Sequence, residues 1–237
     1  MLQLCPNGAR TRAQHENLPV TPDELADSVR RAAREGVAEV HLHPKDALGA
    51  DTLEPAAVAA ALEAVRAEAP GIPVGVTTGA WVEPDPRRRA ELVRSWSVLP
   101  DYASVNWHEP GAELVAEALL ERGVGVEAGI FTGTSAGTAG PEFLASPLCR
   151  RVLAEVTEPT PSSARTAAAR LVGQLAGLPV LLHGTDGGMA RAADGGRPRA
   201  GHPDRAGGRA AVAGRVHRYG QPGSRSGGPR VRRPLID

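Results

Sequence analysis

The strongest constraint in this chain is a repeat of pattern. A short aliphatic run is followed by a helical stretch, and the pair recurs seven times over residues 1–186, at about thirty residues per unit. Strands separated each time by a helix cannot pair through tight turns, so the crossovers make them parallel. Leu2-Gln3-Leu4-Cys5 reads as the first strand, and Pro6 to Arg10 turns out of it. Thr21 fits a helix N-cap, with Pro22 at the first helical position and Asp23 and Glu24 complementing the helix N-terminus. That helix runs to about Glu35 and stops at Gly36. Further strands are expected at 37–43, 72–77, 102–106, 124–130, 152–156 and 179–183. Helices are expected at 54–69, 87–97, 112–122 and 163–176, with a short one after the Gly/Thr-rich loop 132–140.

Seven such units in 186 residues fit a (β/α)8 TIM barrel better than an open doubly wound sheet. No G-x-G-x-x-G follows the first strand, which counts against a dinucleotide-binding fold. The hydrophobic fraction of 41% is enough for a core, and with aromatics at 3% that core is aliphatic. Cys5 and Cys149 form no CxxC and no disulfide framework, which suits a reducing cytoplasm. The N-terminus lacks a basic-then-apolar signal pattern, and no apolar run approaches a membrane span.

Polar residues gather at the expected strand C-termini: His41, His43, Thr77, Asn106, Glu127, Glu158 and His183. In this barrel the active site lies at that face. His41 and His43, at i and i+2 on one strand, share a side and form half of a divalent-metal site. A catalytic zinc needs a third protein ligand and an open position. Structural alternatives stand beside these readings. The histidines can be satisfied by packing, Glu127 by a buried arginine, Thr77 and Asn106 by capping strand ends, and His183 as a core histidine. His108 and Glu109 read equally well as exposed loop.

The net charge of zero hides two unlike parts. Residues 187–237 hold eleven Arg, no Lys and three acidic residues, a net of +8, which leaves −8 on residues 1–186. Twelve of these 51 residues are Gly, and no periodicity remains, so the eighth strand–helix unit is missing. Read literally, this is a disordered basic tail. A nucleic-acid-binding tail would bind with a steep salt dependence, but Tyr219 is its sole aromatic, and no nucleic-acid partner is expected.

Residues 1–186 resemble the beta-keto acid cleavage enzymes, the family of 3-keto-5-aminohexanoate cleavage enzyme. The resemblance rests on Asn7-Gly8-Ala9, Leu18-Pro19-Val20-Thr21-Pro22, Val40-His41-Leu42-His43, Thr77-Thr78-Gly79-Ala80 and Ser104-Val105-Asn106, in that order. It implies a zinc-dependent TIM barrel that condenses a β-keto acid with acetyl-CoA and then splits the adduct into acetoacetate and a new CoA thioester. It implies His41 and His43 as zinc ligands and Glu127, Thr77 and Asn106 as catalytic groups. Asn7, Arg10 and His183 would bind substrate, and the protein would be a homo-oligomer. Arg10 stands where many family members carry a carboxylate, so an acidic group on the substrate is favoured over an amine.

The family's eighth strand carries Arg-x-Gly-Leu-Glu-Asp, whose Glu is the third zinc ligand, and this chain lacks it. Residues His202 to Arg209 can be encoded as CAC CCG GAT CGG GCT GGA GGA CGT. Read one nucleotide later, with the next G, this gives Thr-Arg-Ile-Gly-Leu-Glu-Asp-Val. The resulting hypothesis is a reading-frame slip just after Asp186, making 1–186 the catalytic domain and 187–237 an out-of-frame tail. An uninterrupted frame on resequencing would sink it. Two alternatives remain: a metal-dependent hydrolase or aldolase on the same barrel, which would turn over without acetyl-CoA, and a non-functional truncated homologue.

Overall fold

The computed structural model describes residues 1–134, 143–144 and 146–184, and the backbone of 211–212. The strands are β1 (Gln3–Leu4), β2 (Glu39–Leu42), β3 (Val74–Thr77), β4 (Tyr102–Asn106), β5 (Gly125–Phe131), β6 (Cys149–Val156), β7 (Val180–Gly184) and a two-residue β8 (Ala211–Val212). They form one sheet in sequence order, and every neighbouring pair is parallel. Among the described residues no ladder joins β8 to β1. The fold is therefore an open, incomplete (β/α)8 barrel of seven full strands, with only a stub in the eighth position.

The helices are α1 (Pro22–Ala33), α2 (Pro55–Glu68), α3 (Pro86–Arg94), α4 (Ala112–Glu121) and α5 (Pro161–Gln174). Four of the five start on proline, whose fixed φ and missing N–H cost nothing in the first turn. Thr21 and Glu24 make the full capping box of α1: Thr21 Oγ1 accepts from the Glu24 N–H at 3.3 Å, and the Glu24 carboxylate accepts from the Thr21 N–H at 3.0 Å. Phe143 and Leu144 are helical, in the region of the expected short helix; residues 135–142 lie outside the described set. Among the described residues no helix is long and apolar enough to cross a membrane.

Strand alternation divides the molecule. Val40, Leu42, Val74, Val76, Val105, Ala128 and Val152 point outward, into one core with Val29, Leu62, Val93 and Leu119 of the helices. The other parity points inward and is mostly polar, and Leu153 and Leu181 form a small apolar contact of their own there. Near the strand N-terminal ends, Glu39, Tyr102, Glu127 and Arg151 fill the interior. Gly75 makes room for this layer, since a Cβ there would lie 2.0 Å from the Tyr102 ring. The Tyr102 hydroxyl donates to the Val40 carbonyl at 2.7 Å and accepts from Gln3 Nε2 at 2.9 Å.

The sequence reading begins the sixth strand at residue 152, whereas β6 begins at Cys149. Arg150 and Arg151 break the hydrophobic run, yet both are neutralised by carboxylates from other strands. Arg150 pairs with Glu39, and Arg151 with Glu39 and Glu127. The reading of the tail as disordered or out of frame falls outside the described residues, apart from the backbone of β8.

Candidate functional site

A cavity of about 300 Å³ opens at the C-terminal ends of the strands. Six of the expected site residues line it: Arg10, His41, His43, Thr77, Asn106 and His183. Cys5, Trp81 and Glu155, not singled out from sequence, line it as well.

His41 and His43 stand at the end of β2 with ring centroids 5.3 Å apart. Both are buried, and the Nδ1 of His41 has no hydrogen-bond partner among the described residues. Burial, first of all, and then the neighbouring His43, His183 and Arg151 hold the His41 imidazole well below its ordinary value. It is therefore neutral at pH 7, the form that ligates a metal. His43 is braced from both ends. Its Nδ1 lies 3.0 Å from Asp51 Oδ2. Its backbone N–H donates to Asn7 Oδ1 at 3.1 Å, and its carbonyl accepts from Asn7 Nδ2 at 2.7 Å.

Asp51 also accepts from Trp81 Nε1 at 2.7 Å and pairs with Lys45. Burial pushes the Asp51 carboxyl up, but the hydrogen bonds from His43, Lys45 and Trp81 outweigh it, and the group sits below the ordinary value. An ionised Asp51 only accepts, so His43 carries its proton on Nδ1 and keeps the Nε2 lone pair for a ligand. Trp81 stacks on His43 at 5.9 Å, and its ring occupies the space a side chain at Gly79 would need. Lys45 fixes the loop after β1 by donating to the carbonyls of Gly8 at 2.9 Å and Arg10 at 2.8 Å.

Asn106 Nδ2 donates to Glu109 Oε1 at 2.8 Å, and Gly129 leaves the room that Asn106 occupies. Thr77 Oγ1 accepts from the Gly79 N–H at 3.3 Å. Glu155 and His183 are ladder partners on β6 and β7, and His183 Nδ1 lies 2.5 Å from Glu155 Oε2. Burial alone would lower the His183 imidazole, but the Glu155 charge and its hydrogen bond to the ring hold it well above the ordinary value.

Two expected site residues stand back from the cavity wall. The Asn7 amide is spent on the His43 backbone. Glu127 is fully buried in the layer below, where its Oε1 accepts from Arg151 Nε at 2.5 Å and Gln3 Nε2 at 3.4 Å. Of the neighbouring groups, Glu158 accepts from Thr132 Oγ1 at 2.8 Å outside the cavity, and the His108 ring packs on Phe131. No group of three His, Cys, Asp or Glu side chains placed to hold a metal occurs among the described residues.

A parallel barrel with a polar cavity at its strand C-termini, and a carboxylate-braced histidine pair inside it, belongs to the class of barrel enzymes whose chemistry sits at that face. The chain is a member of the beta-keto acid cleavage enzyme family, whose model matches residues 1–169. A curated relative, the 3,5-dioxohexanoate:acetyl-CoA acetone transferase of Paraburkholderia graminis, is 32% identical over 108 residues. That match covers 45% of this chain and 34% of the relative, so the chain matches about a third of that protein's length. Among solved structures, a candidate phosphonomutase from Burkholderia cenocepacia is similar with a TM-score of 0.51 and 16% identity, over 90% of this chain and 87% of that one, a likeness of fold.

Proposed function

We propose that the cavity binds a β-keto acid and acetyl-CoA and exchanges their carbon–carbon and thioester bonds, releasing acetoacetate and a new acyl-CoA. The observation that carries this reading is the pair His41 and His43, one with an orphaned buried nitrogen and the other aimed by Asp51, in the cavity that also holds Thr77 and Asn106. This donor set fits two positions of a zinc site, and His41 and His43 would hold the ion, which when bound supplies Lewis acidity at the keto oxygen. The third donor is not among the described residues, which end at 184 apart from the backbone of 211–212.

The chain's own groups do the rest. Asp51 and Asn7 keep His43 in one tautomer and one orientation. Thr77 and Asn106 offer a hydroxyl and an amide to the keto acid. Arg10 brings a guanidinium to the wall, which favours an acidic substrate group. His183, charged and held by Glu155, is the proton carrier facing the cavity. Glu127, closed on Arg151, supports the wall from beneath and reaches the cavity only through Gln3.

The test is acetoacetate formation from acetyl-CoA with a panel of β-keto acids, read together with zinc content per chain. Protein with the frame restored after Asp186 should hold about one zinc per chain and turn over. The chain as it stands should hold less, and His43→Ala should lose zinc in both. Zinc-free protein from both frames, or turnover without acetyl-CoA, would overturn the reading.

A further inference from the structure

One aromatic ring on the cavity wall is neither buried nor loose. Of the three tryptophans, Trp96 and Trp107 lie in the core, whereas Trp81 is 50% exposed and lines the cavity. Three contacts fix its ring. Its Nε1 donates to Asp51 Oδ2 at 2.7 Å, the same oxygen that His43 Nδ1 meets at 3.0 Å. One face stacks on the His43 ring, with 5.9 Å between centroids and 18° between planes. The six-membered ring lies over Gly79, where a Cβ would come within 2.0 Å of its carbons. Asp51 is locked in turn by Lys45, whose ammonium also holds the carbonyls of Gly8 and Arg10. The indole is thus a preorganised apolar plane, kept half in water beside the histidine pair. Leaving it there forgoes the burial that a ring of its size would otherwise gain. Holding it rigid lowers the entropy cost for whatever covers it.

We infer that the open part of the Trp81 ring is the contact surface for the apolar carbon chain that a β-keto acid carries beyond its keto group. Trp81 thereby selects substrates by the length of that chain. The ring sits on His43 itself, so its occupant is the part of the ligand next to the end held by the histidine pair. In a β-keto acid that part is the chain on the keto carbon. The adenine of CoA is the other group suited to stacking on an indole, but a diphosphate and a pantetheine arm separate it from the reacting thioester. Arg10 lines the same cavity, so a chain that is apolar where it passes Trp81 can still end in an acidic group. The choice of a β-keto acid rests on the function proposed above; the fixed, half-exposed ring does not.

The experiment is a binding series. The contacts around Trp81 lie within residues 43–81, so the full chain is used as it stands, beside protein with the frame restored, both in zinc-containing buffer. Straight-chain β-keto acids of increasing length are titrated without acetyl-CoA, by calorimetry and by tryptophan emission with acrylamide quenching. Trp96 and Trp107 are 1% and 5% exposed, so the quencher reports on Trp81. The expected result is a saturable change in emission, protection from acrylamide, and affinity that rises about fourfold per added methylene until the ring is covered. Trp81→Ala flattens that gradient. Trp81→Phe, which keeps a ring face and loses the N–H to Asp51, retains it. Binding of equal strength along the series, or a gradient that survives Trp81→Ala, overturns the assignment and leaves the proposed function standing. A gradient lost equally in Trp81→Phe also overturns it, because the hold on Asp51 would then account for the whole effect. Failure of every keto acid to bind either form overturns both readings. Far-ultraviolet circular dichroism of the variants confirms that a lost gradient is not lost fold.

Discussion

Arg151→Met is the most informative perturbation of the barrel interior. Arg151 is 5% exposed and bridges Glu39 and Glu127, which are 5% and 0% exposed. When it is removed, Glu39 keeps Arg150, but Glu127 keeps only the Gln3 amide at 3.4 Å. Burial already pushes the Glu127 carboxyl above its ordinary value, and Arg151 is the main group pulling against that. Without Arg151 the carboxyl stays protonated in the folded state while it ionises in the unfolded one. From an ordinary value of 4.5 this costs about 3.4 kcal/mol at pH 7 and about 0.7 kcal/mol at pH 5. A raised folded value gives stability that is present below the unfolded value and lost as pH rises toward the folded one. Arg151→Met is therefore expected to be destabilised by about 3–5 kcal/mol at pH 7, and by about 2.7 kcal/mol less at pH 5. Denaturant unfolding at the two pH values, followed by circular dichroism, measures both. The double variant Glu127→Gln with Arg151→Met should lose the pH dependence. A penalty that is flat between the two pH values, or an equal slope in the double variant, would refute the reasoning.

Three further expectations follow from the same geometry. Asp51→Asn frees the His43 tautomer and should weaken zinc binding by about 10–100-fold in a chelator competition, in protein with the frame restored. Gly75→Ala would place a Cβ 2.0 Å from the Tyr102 ring and should lower unfolding free energy by about 1–3 kcal/mol. The His183 value is raised in the fold, so its pair with Glu155 stabilises fully below the ordinary histidine value of 6.5 and loses that contribution as pH rises through the raised value. Glu155→Gln should remove this decline from the denaturation midpoint measured across that window.

The barrel was legible because its signals are local. Proline at helix starts, glycine at helix stops and aliphatic runs of strand length appear within each unit, and the interval between units requires parallel pairing. The cavity residues were legible wherever a polar side chain ends a strand, as with His41, Thr77, Asn106 and His183. Two kinds of residue escaped. Asp51 and Trp81 lie in loops, and their convergence on His43 depends on how those loops fold over the barrel mouth. Glu155 lies inside β6, and the charge run at Arg150 and Arg151 hid where that strand begins; Glu158, two residues after β6 ends, drew the attention instead. One signal was available for the buried layer. Glu39 and Arg151 are charges at inward parity within otherwise apolar strands, and opposite charges at such positions are expected to meet.

The contacts also divide the cavity into two parts with different dependence on the missing unit. His43, Asn7, Lys45, Asp51 and Trp81 brace one another within the first 81 residues, through β1, β2 and β3, whose ladders are complete. Cys5, His183 and Glu155 border the eighth position, where β7 meets a two-residue strand and β1 has no ladder on that side among the described residues. Loss of the eighth unit therefore leaves the orientation of the histidine pair intact while removing a wall beside the thiol. Metal affinity of this chain should thus fall through a missing donor, with His41 and His43 still in place, and restoring the unit should recover it without any change in the contacts around His43.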